Sequence, residues 1–257
     1  MTNGGFKESF ARVEIKYSVP ANKYKALLER LSEYIEPDEY GDTRIYNIYY
    51  DTPDYRLIRK SLSKPIYKEK LRLRTYKVPN ENTSAFVEIK KKYDGIVYKR
   101  RISLPYGVAK WHLDHSIPFT EMNNRSIIGK SAYTDVQIEN EINSMLDLYK
   151  DLRPGMMVSY DRLAFRGIEN PDFRITFDKN IRWRNTELDL TKGGYGNPLL
   201  RNDERIMEIK ISEAMPIEIA RILSELQIYK TSYSKYGNGY IQLLENERHM
   251  KGIKKYA

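Results

Sequence analysis

The sequence predicts an α+β protein in which antiparallel strands, each wet on one face and dry on the other, are interrupted by amphipathic helices. Three observations carry that expectation. Glu-Ile-Lys occurs three times, in "RVEIKY" (12 to 17), "FVEIKK" (86 to 91) and "IMEIKI" (206 to 211), at intervals too uneven for a tandem repeat. Each copy has an apolar residue before Glu and isoleucine between the charges, the alternation of a half-buried strand. Strand-like runs are joined by short polar loops such as PNENTS and YDG. After Pro20, ANKYKALLERLSEYI (21 to 35) spaces Tyr24, Leu27, Leu28, Leu31 and Ile35 as one helical stripe.

Taken in order, residues 12–19 read as a strand, followed by that helix. TRIYNIYYDT (43 to 52) is rich in strand formers and stops at Thr52-Pro53, where the short helix DYRLIRKSL begins. YKEKLRLRTY (67 to 76), AFVEIKKKY (85 to 93) and IVYKRRISL (96 to 104) read as three adjacent antiparallel strands. Residues 105–135 mix Pro, His, Asn and Gly without a stable period and read as loop and helix. IENEINSMLDLYKDL (138 to 152) is helical, and MMVSYDRLAF (156 to 165) and FRITFDKNIRW (173 to 183) return to strand character. TKGGYGNPL (191 to 199) is a loop, and RIMEIKIS carries the third copy. Two helices, roughly 215–228 and 232–246, precede a basic tail, HMKGIKKYA, expected to fray.

A chain of 257 residues can bury a substantial core, and one domain spanning 1–257 is expected. Forty-four Lys and Arg against 35 Asp and Glu leave a net charge of +9, which favours anionic partners. With no cysteine, catalytic thiol chemistry and thiolate metal sites are excluded. No run approaches the roughly 18 apolar residues of a membrane span, and MTNGGFKESF lacks a signal-peptide core. A cytoplasmic protein is expected, with room for a membrane partner protein.

Alternation places the charges. Glu14 and Lys16 share a face, as do Arg72, Arg74 and Tyr76, Glu88 and Lys90, Lys99 and Arg101, Tyr160 and Arg162, Arg174, Thr176 and Asp178, and Glu208 and Lys210. The opposite faces carry Val13, Ile15, Leu71, Leu73, Val87, Ile89, Ile175, Phe177, Met207 and Ile209. A solvated sheet face accounts for any single Glu-Ile-Lys, because cross-strand pairs contribute only about 0.2–1 kcal/mol. It accounts less well for the set, in which strand after strand selects Arg and Lys with isolated glutamates among them. If that face closes into a barrel, the cations line a lumen and require an anion, which a chain of phosphates supplies. Arg offers phosphate a bidentate fork and Lys a point charge, whereas a glutamate among them repels phosphate unless a divalent cation lies between. A nucleic-acid groove needs no inward glutamates, so nucleic acid is not expected as a partner.

Together, R-x-E-x-K-Y near the N-terminus, Y-x-D-T-P-D-Y, L-R-L-R-T-Y, F-V-E-I-K-K-K, Y-D-R-x-A-F, R-I-T-F-D, the late M-E-I-K and S-K-Y after the penultimate helix resemble a VTC domain. That is the polyphosphate polymerase catalytic domain of the triphosphate tunnel metalloenzyme superfamily. Singly these motifs are weak; their order and mutual distances, over residues 10 to 245, make the resemblance specific. It implies an antiparallel β-barrel tunnel of about eight strands flanked by helices, with triphosphate and Mn²⁺ or Mg²⁺ inside. It also implies an enzyme that transfers the γ-phosphoryl group of ATP to a growing chain, with ATP and inorganic polyphosphate as partners.

Carried over by position, Lys16, Arg72, Arg74, Lys90, Arg162 and Arg174 match tunnel phosphate ligands, all but Lys16 forming the implied catalytic set. Lys99, Arg100 and Arg101 are candidates for another ligand, and strand parity does not choose among them. Tyr160 precedes Arg162, Lys210 follows Glu208, and Ser234 with Lys235 match a phosphate contact where the last helix starts and amides favour anions. Glu208 matches the metal-coordinating glutamate. Glu14 and Glu88 are further metal candidates that either bind metal or pair with cations.

One departure bears on the reaction. Triphosphatases and cyclases of the superfamily usually carry Glu-x-Glu-x-Lys on the first strand, and here the first acidic position is Arg12. Its loss disfavours a two-metal hydrolase and suits the polymerase branch. A tunnel-fold triphosphatase or cyclase and a non-catalytic polyanion-binding domain remain the alternatives. NRSIIGKS (124 to 131) ends like a Walker A motif without its first glycine and is rejected as one. WHLDH places His112 and His115 three residues apart, a spacing better explained by satisfied or surface histidines than by a metal, and the 22 tyrosines are read as packing.

Overall fold

A computed structural model describes residues 13–119, 133–212 and 214–256. Arg12 and NRSIIGKS lie outside them. In chain order the elements are β1 (Val13–Val19), α1 (Ala21–Leu31), β2 (Ile35–Asp51), α2 (Arg56–Leu62), β3 (Tyr67–Thr75), β4 (Ser84–Tyr93) and β5 (Ile96–Pro105). There follow α3 (Tyr106–Asp114), α4 (Tyr133–Leu148), β6 (Arg153–Gly167), β7 (Arg174–Arg184), β8 (Asn197–Pro198), β9 (Arg205–Ile211), α5 (Ile217–Glu225), β10 (Lys230–Thr231) and α6 (Lys235–Tyr256). They divide into two compact units, one of residues up to Thr43 with Arg162–Lys179 and Leu200–Ser232, the other of Arg44–Asp161, Asn180–Leu199 and Tyr233 onward. Strands β2, β6 and β7 contribute a part to each.

In the first unit the strand neighbours run β10-β1-β9-β7-β6-β2. Antiparallel register sets Lys16 opposite Glu208 and Glu14 opposite Lys210, and on the other side of β9 sets Thr176 opposite Glu208 and Arg174 opposite Lys210. The dry face, Tyr17, Val19, Ile175, Phe177, Met207 and Ile209, is buried against Leu27 and Leu31 of α1 and Ile219, Ile222 and Leu223 of α5. Val13, expected on that face, is exposed at the strand end.

In the second unit the order is β7-β6-β2-β3-β4-β5, with β8 beside β7. Leu71 lies opposite Ile89 and Leu73 opposite Val87, so the apolar residues of β3 and β4 form one face. They bury against Ala109 and Leu113 of α3 and Ile142, Met145 and Leu146 of α4. Asp94 (φ 41) and Gly95 (φ 84) both take left-handed backbone, the two-residue turn whose twist suits a tight hairpin between β4 and β5.

Asp51 ties β2 to two helices. Its buried carboxylate accepts from the backbone N–H groups of Thr52 (2.8 Å), Leu57 (2.8 Å) and Ile58 (3.0 Å), and from the Tyr236 hydroxyl of α6 (2.7 Å). It therefore satisfies the open amides at the start of α2 from outside the helix.

Several expectations change. The expected α+β fold with antiparallel strands is present, as a ten-stranded sheet whose pairing among the described residues runs from β10 to β5; closure into a barrel of about eight strands is not shown. Strand β2 begins at Ile35, which the helical spacing had assigned to α1; Ile35 buries in the same core from either element, so the spacing could not distinguish them. Residues 35–42 contain Pro37 and Gly41, the latter with left-handed backbone (φ 48), which weakens the strand signal there. The last helix runs on to Tyr256, past the expected end near residue 246.

Replacing Asp51 by Ala removes the acceptor of four donors and should lower stability by about 3 kcal/mol or more, with Asp51→Asn losing less. A urea midpoint unchanged at constant slope would contradict this.

Candidate functional site

The wet face of β3, β4 and β5 gathers cations by register. Lys70 lies opposite Lys90, which lies opposite Lys99; one row on, Arg72 lies opposite Glu88, which lies opposite Arg101. Like charges directly opposite repel in an isolated sheet, so such rows are not chosen for sheet stability. At their centre Glu88 is 1% exposed. Arg72 holds it through Nε (2.6 Å) and a terminal nitrogen (2.5 Å), while Arg74 (3.7 Å), Lys99 (3.6 Å) and Arg101 (4.0 Å) lie around its other oxygen. Burial pushes the Glu88 carboxyl up, but Arg72, Arg74 and Lys99 outweigh it and bring it down to about 2.

Neighbouring groups fix the guanidinium forks. Arg72 donates to the Tyr49 hydroxyl (3.1 Å), and Arg74 donates to the Asn47 side-chain oxygen (2.9 Å) and the Tyr160 hydroxyl (3.3 Å). Burial raises the Tyr49 phenol, yet Arg72, Lys70 and Arg74 together lower it to about 8. Tyr49 stacks on Tyr236 at 4.5 Å between centroids, Lys235 sits over the Tyr160 ring at 4.4 Å, and Lys70 donates to the Ser234 hydroxyl (3.2 Å). Ser234 also accepts from the Gly237 amide (3.1 Å), opening α6 as a side-chain cap. The second unit thus brings Arg72, Arg74, Glu88, Lys90, Lys99, Arg101, Tyr160, Ser234 and Lys235 around one charged face.

Arg100 does not belong to it. Alternation turns Arg100 to the other side of β5, where it pairs with Glu141 of α4 beside Lys91, so Lys99 and Arg101 are the β5 cations of the charged face. Glu88, a metal candidate in the sequence, is a counter-ion enclosed by cations. Tyr49 and Lys70 were missed; Lys70 shares the parity of Arg72 and Arg74 in YKEKLRLRTY, a signal that was legible, whereas the position of Tyr49 depends on β2–β3 pairing.

The first unit holds the other candidates in opposed pairs. Lys16 approaches Glu14 (3.2 Å) and Glu208 (3.8 Å), and Lys210 approaches Glu208 (2.7 Å). Arg162 forms two parallel bonds to the buried Asp178 (2.7 and 2.8 Å), and the half-exposed Arg174 lies 3.9 Å from Asp38. The Thr176 hydroxyl, opposite Glu208, is buried without a hydrogen-bond partner among the described residues.

Among the described residues no three His, Cys, Asp or Glu side chains assemble as a metal cluster. Glu208 and Glu14, with the orphan Thr176 hydroxyl beside Glu208, fit a hard cation that takes its remaining oxygens from phosphates and water, as Mg²⁺ commonly does. His112 and His115 give no competing site: the Nδ1 atoms lie 3.1 Å from the Ile117 carbonyl and 2.8 Å from the Trp111 carbonyl.

The VTC domain model matches residues 11–244, and the chain belongs to the VTC domain family. Comparison with curated proteins finds no match. Among solved structures, a candidate adenylyl cyclase from Hippeastrum, described as revealing a dominant triphosphatase activity, is 16% identical with a TM-score of 0.50, covering 90% of this chain and 96% of that one. A candidate adenylate cyclase from Vibrio parahaemolyticus is 14% identical with a TM-score of 0.45, covering 90% of this chain and 98% of that one. At such identities the likeness to the Hippeastrum protein concerns the fold alone, and it agrees with the triphosphate tunnel superfamily.

Glu88 tests the electrostatics of the face. Its folded-state value of about 2 lies below the ordinary 4.5, so its stabilisation is complete above about pH 4.5 and is lost as pH falls towards 2. Glu88→Gln should cost about 3 kcal/mol at pH 7, and its stability gap to the parent should shrink between pH 5 and pH 2. A gap independent of pH would contradict the assignment.

Proposed function

We propose that this VTC domain is a metal-dependent polyphosphate polymerase that transfers the γ-phosphoryl group of ATP to the end of a polyphosphate chain. The observation that carries the reading is the cation-rich face of β3–β5, where Arg72, Arg74, Lys99 and Arg101 converge within 4.0 Å of one buried carboxylate. A chain of phosphates offers repeated anionic oxygens that guanidinium forks and ammonium groups on one face suit.

In this reading a terminal oxygen of the polyphosphate attacks the γ-phosphorus of ATP, the bond from that phosphorus to the β-bridging oxygen breaks, and ADP leaves. The attacking oxygen is already ionised, so no general base is required. Arg72 and Arg74 hold equatorial phosphate oxygens with forks braced by Tyr49, Asn47 and Tyr160, and Lys90, Lys99 and Arg101 add point or forked charge. Ser234 and Lys235 offer a hydroxyl and an ammonium at the start of α6. Positioning and charge neutralisation supply the acceleration, without a covalent enzyme intermediate. Glu208 and Glu14, in the first unit, would hold Mn²⁺ or Mg²⁺, which when bound supplies positive charge that favours phosphate oxygens. Arg12, replacing the first acid of the hydrolase pattern, favours this reading over a two-metal hydrolase.

The test incubates the purified chain with ATP and Mn²⁺ and resolves the products on a gel stained for polyphosphate. Polymer should form only with metal, fall at least about 100-fold in Arg72→Ala, disappear in Glu208→Ala, and persist in a control at the exposed Lys25, Lys25→Ala. Orthophosphate without polymer would replace this reading with a triphosphatase. Equal losses in Arg72→Ala and Lys25→Ala would remove the β3–β5 face from the reaction.

A further inference from the structure

The β4–β5 hairpin ends in apolar side chains that no core accounts for. Tyr93, Ile96, Val97 and Tyr98 are 57%, 50%, 45% and 47% exposed, and Ile66, just before β3, is 70% exposed. Register gathers them at the turn: Tyr93 opposite Ile96 and Tyr98 opposite Lys91 lie on one side of the hairpin, Val97 opposite Lys92 lies on the other, and the Asp94 amide donates to the Ile66 carbonyl (3.1 Å). Exposed apolar residues are unremarkable singly, but five on one hairpin tip and its neighbouring loop mark an interaction surface.

Charge identifies the partner. Lys64 stands exposed before Ile66, and Lys68 and Lys92 lie opposite one another on β3 and β4. The Lys68 ammonium is lowered from its ordinary value by burial and then by Lys92, Lys64 and Lys90, so these cations are crowded together. The nearby acids are engaged elsewhere or single: Glu69 accepts from the Tyr67 and Tyr149 hydroxyls, Glu141 pairs with Lys91 and Arg100, and Asp94 occupies the turn. Tyrosines and branched aliphatics at a hairpin tip, with Lys64 before Ile66 and Lys68 and Lys92 on the Val97 side of the sheet, suit the boundary between lipid headgroups and acyl chains, where the phenol stays wet and the ammonium meets phosphate.

We propose that this hairpin tip with Ile66 docks the protein on an anionic lipid bilayer, the apolar side chains entering the headgroup region and Lys64, Lys68 and Lys92 meeting lipid phosphates. A second copy fits less well. Strand β5 ends the sheet order, and its edge carries Lys99, Arg100 and Arg101, which antiparallel pairing of two copies would set against one another. No helix among the described residues is long and apolar enough to cross a membrane, and a surface-bound hairpin requires none.

The test sediments the full chain, without nucleotide, with vesicles of phosphatidylglycerol and phosphatidylcholine or of phosphatidylcholine alone. Binding to the anionic vesicles only is expected, weakened about tenfold in Tyr93→Ser/Ile96→Ser and reduced in Lys64→Glu, while ATP turnover in solution stays unchanged in both. Full binding by Tyr93→Ser/Ile96→Ser would assign the attraction to net charge and overturn the proposal, as would failure of the parent to bind. A lipid-free dimer abolished by the same double variant would overturn it in favour of a second copy. Because binding is read without nucleotide, its failure leaves the polymerase reading untouched.

Discussion

The buried Glu88 carboxylate is the interaction on which the charged face of the second unit depends. Two arginines, Arg72 and Arg74, and the Lys99 and Arg101 heads approach it from the two strands that flank β4. At 4 Å a pair of unit charges interacts by about 4 kcal/mol at the effective dielectric of a partly buried site, and the repulsion between neighbouring cations has the same scale. Without the carboxylate the cations would spread apart or lose their aim. With it they stay convergent around one point of the sheet.

The two units distribute charge differently. In the first, cations and acids alternate: Lys16 with Glu14 and Glu208, Lys210 with Glu208, Arg162 with Asp178, Arg174 with Asp38. In the second, Lys70, Lys90 and Lys99 share one cross-strand row and Arg72 and Arg101 flank Glu88 in the next. Both arrangements follow from one structural fact: a strand that buries every second residue against helices leaves the other set together on one side. Asp51 extends this control to the helices by binding the first amides of α2 and the Tyr236 hydroxyl next to Ser234 and Lys235.

Much of this was legible in the residues. Two-residue alternation located the dry faces because Leu71, Leu73, Val87, Ile89, Ile175, Phe177, Met207 and Ile209 have one buried side each, and pairing then fixed their neighbours. Parity left Lys99, Arg100 and Arg101 undecided because consecutive cations look alike until Glu88 and Glu141 claim opposite sides of β5. The role of Glu88 was ambiguous for a related reason: a glutamate among cations is a metal ligand or a counter-ion according to what lies across the strands. The start of β2, with Pro37 and Gly41, carries a weak strand signal, and the two-residue β10 is too short to show one and is paired with β1.

The most direct test of the account is a crystal structure of the chain with inorganic tripolyphosphate. The account predicts phosphate oxygens within hydrogen-bonding distance of Arg72 and Arg74 and close to Lys90, Lys99 and Arg101, with Glu88 still bonded to Arg72. Tripolyphosphate bound elsewhere, with the β3–β5 face unchanged and free of phosphate, would contradict it.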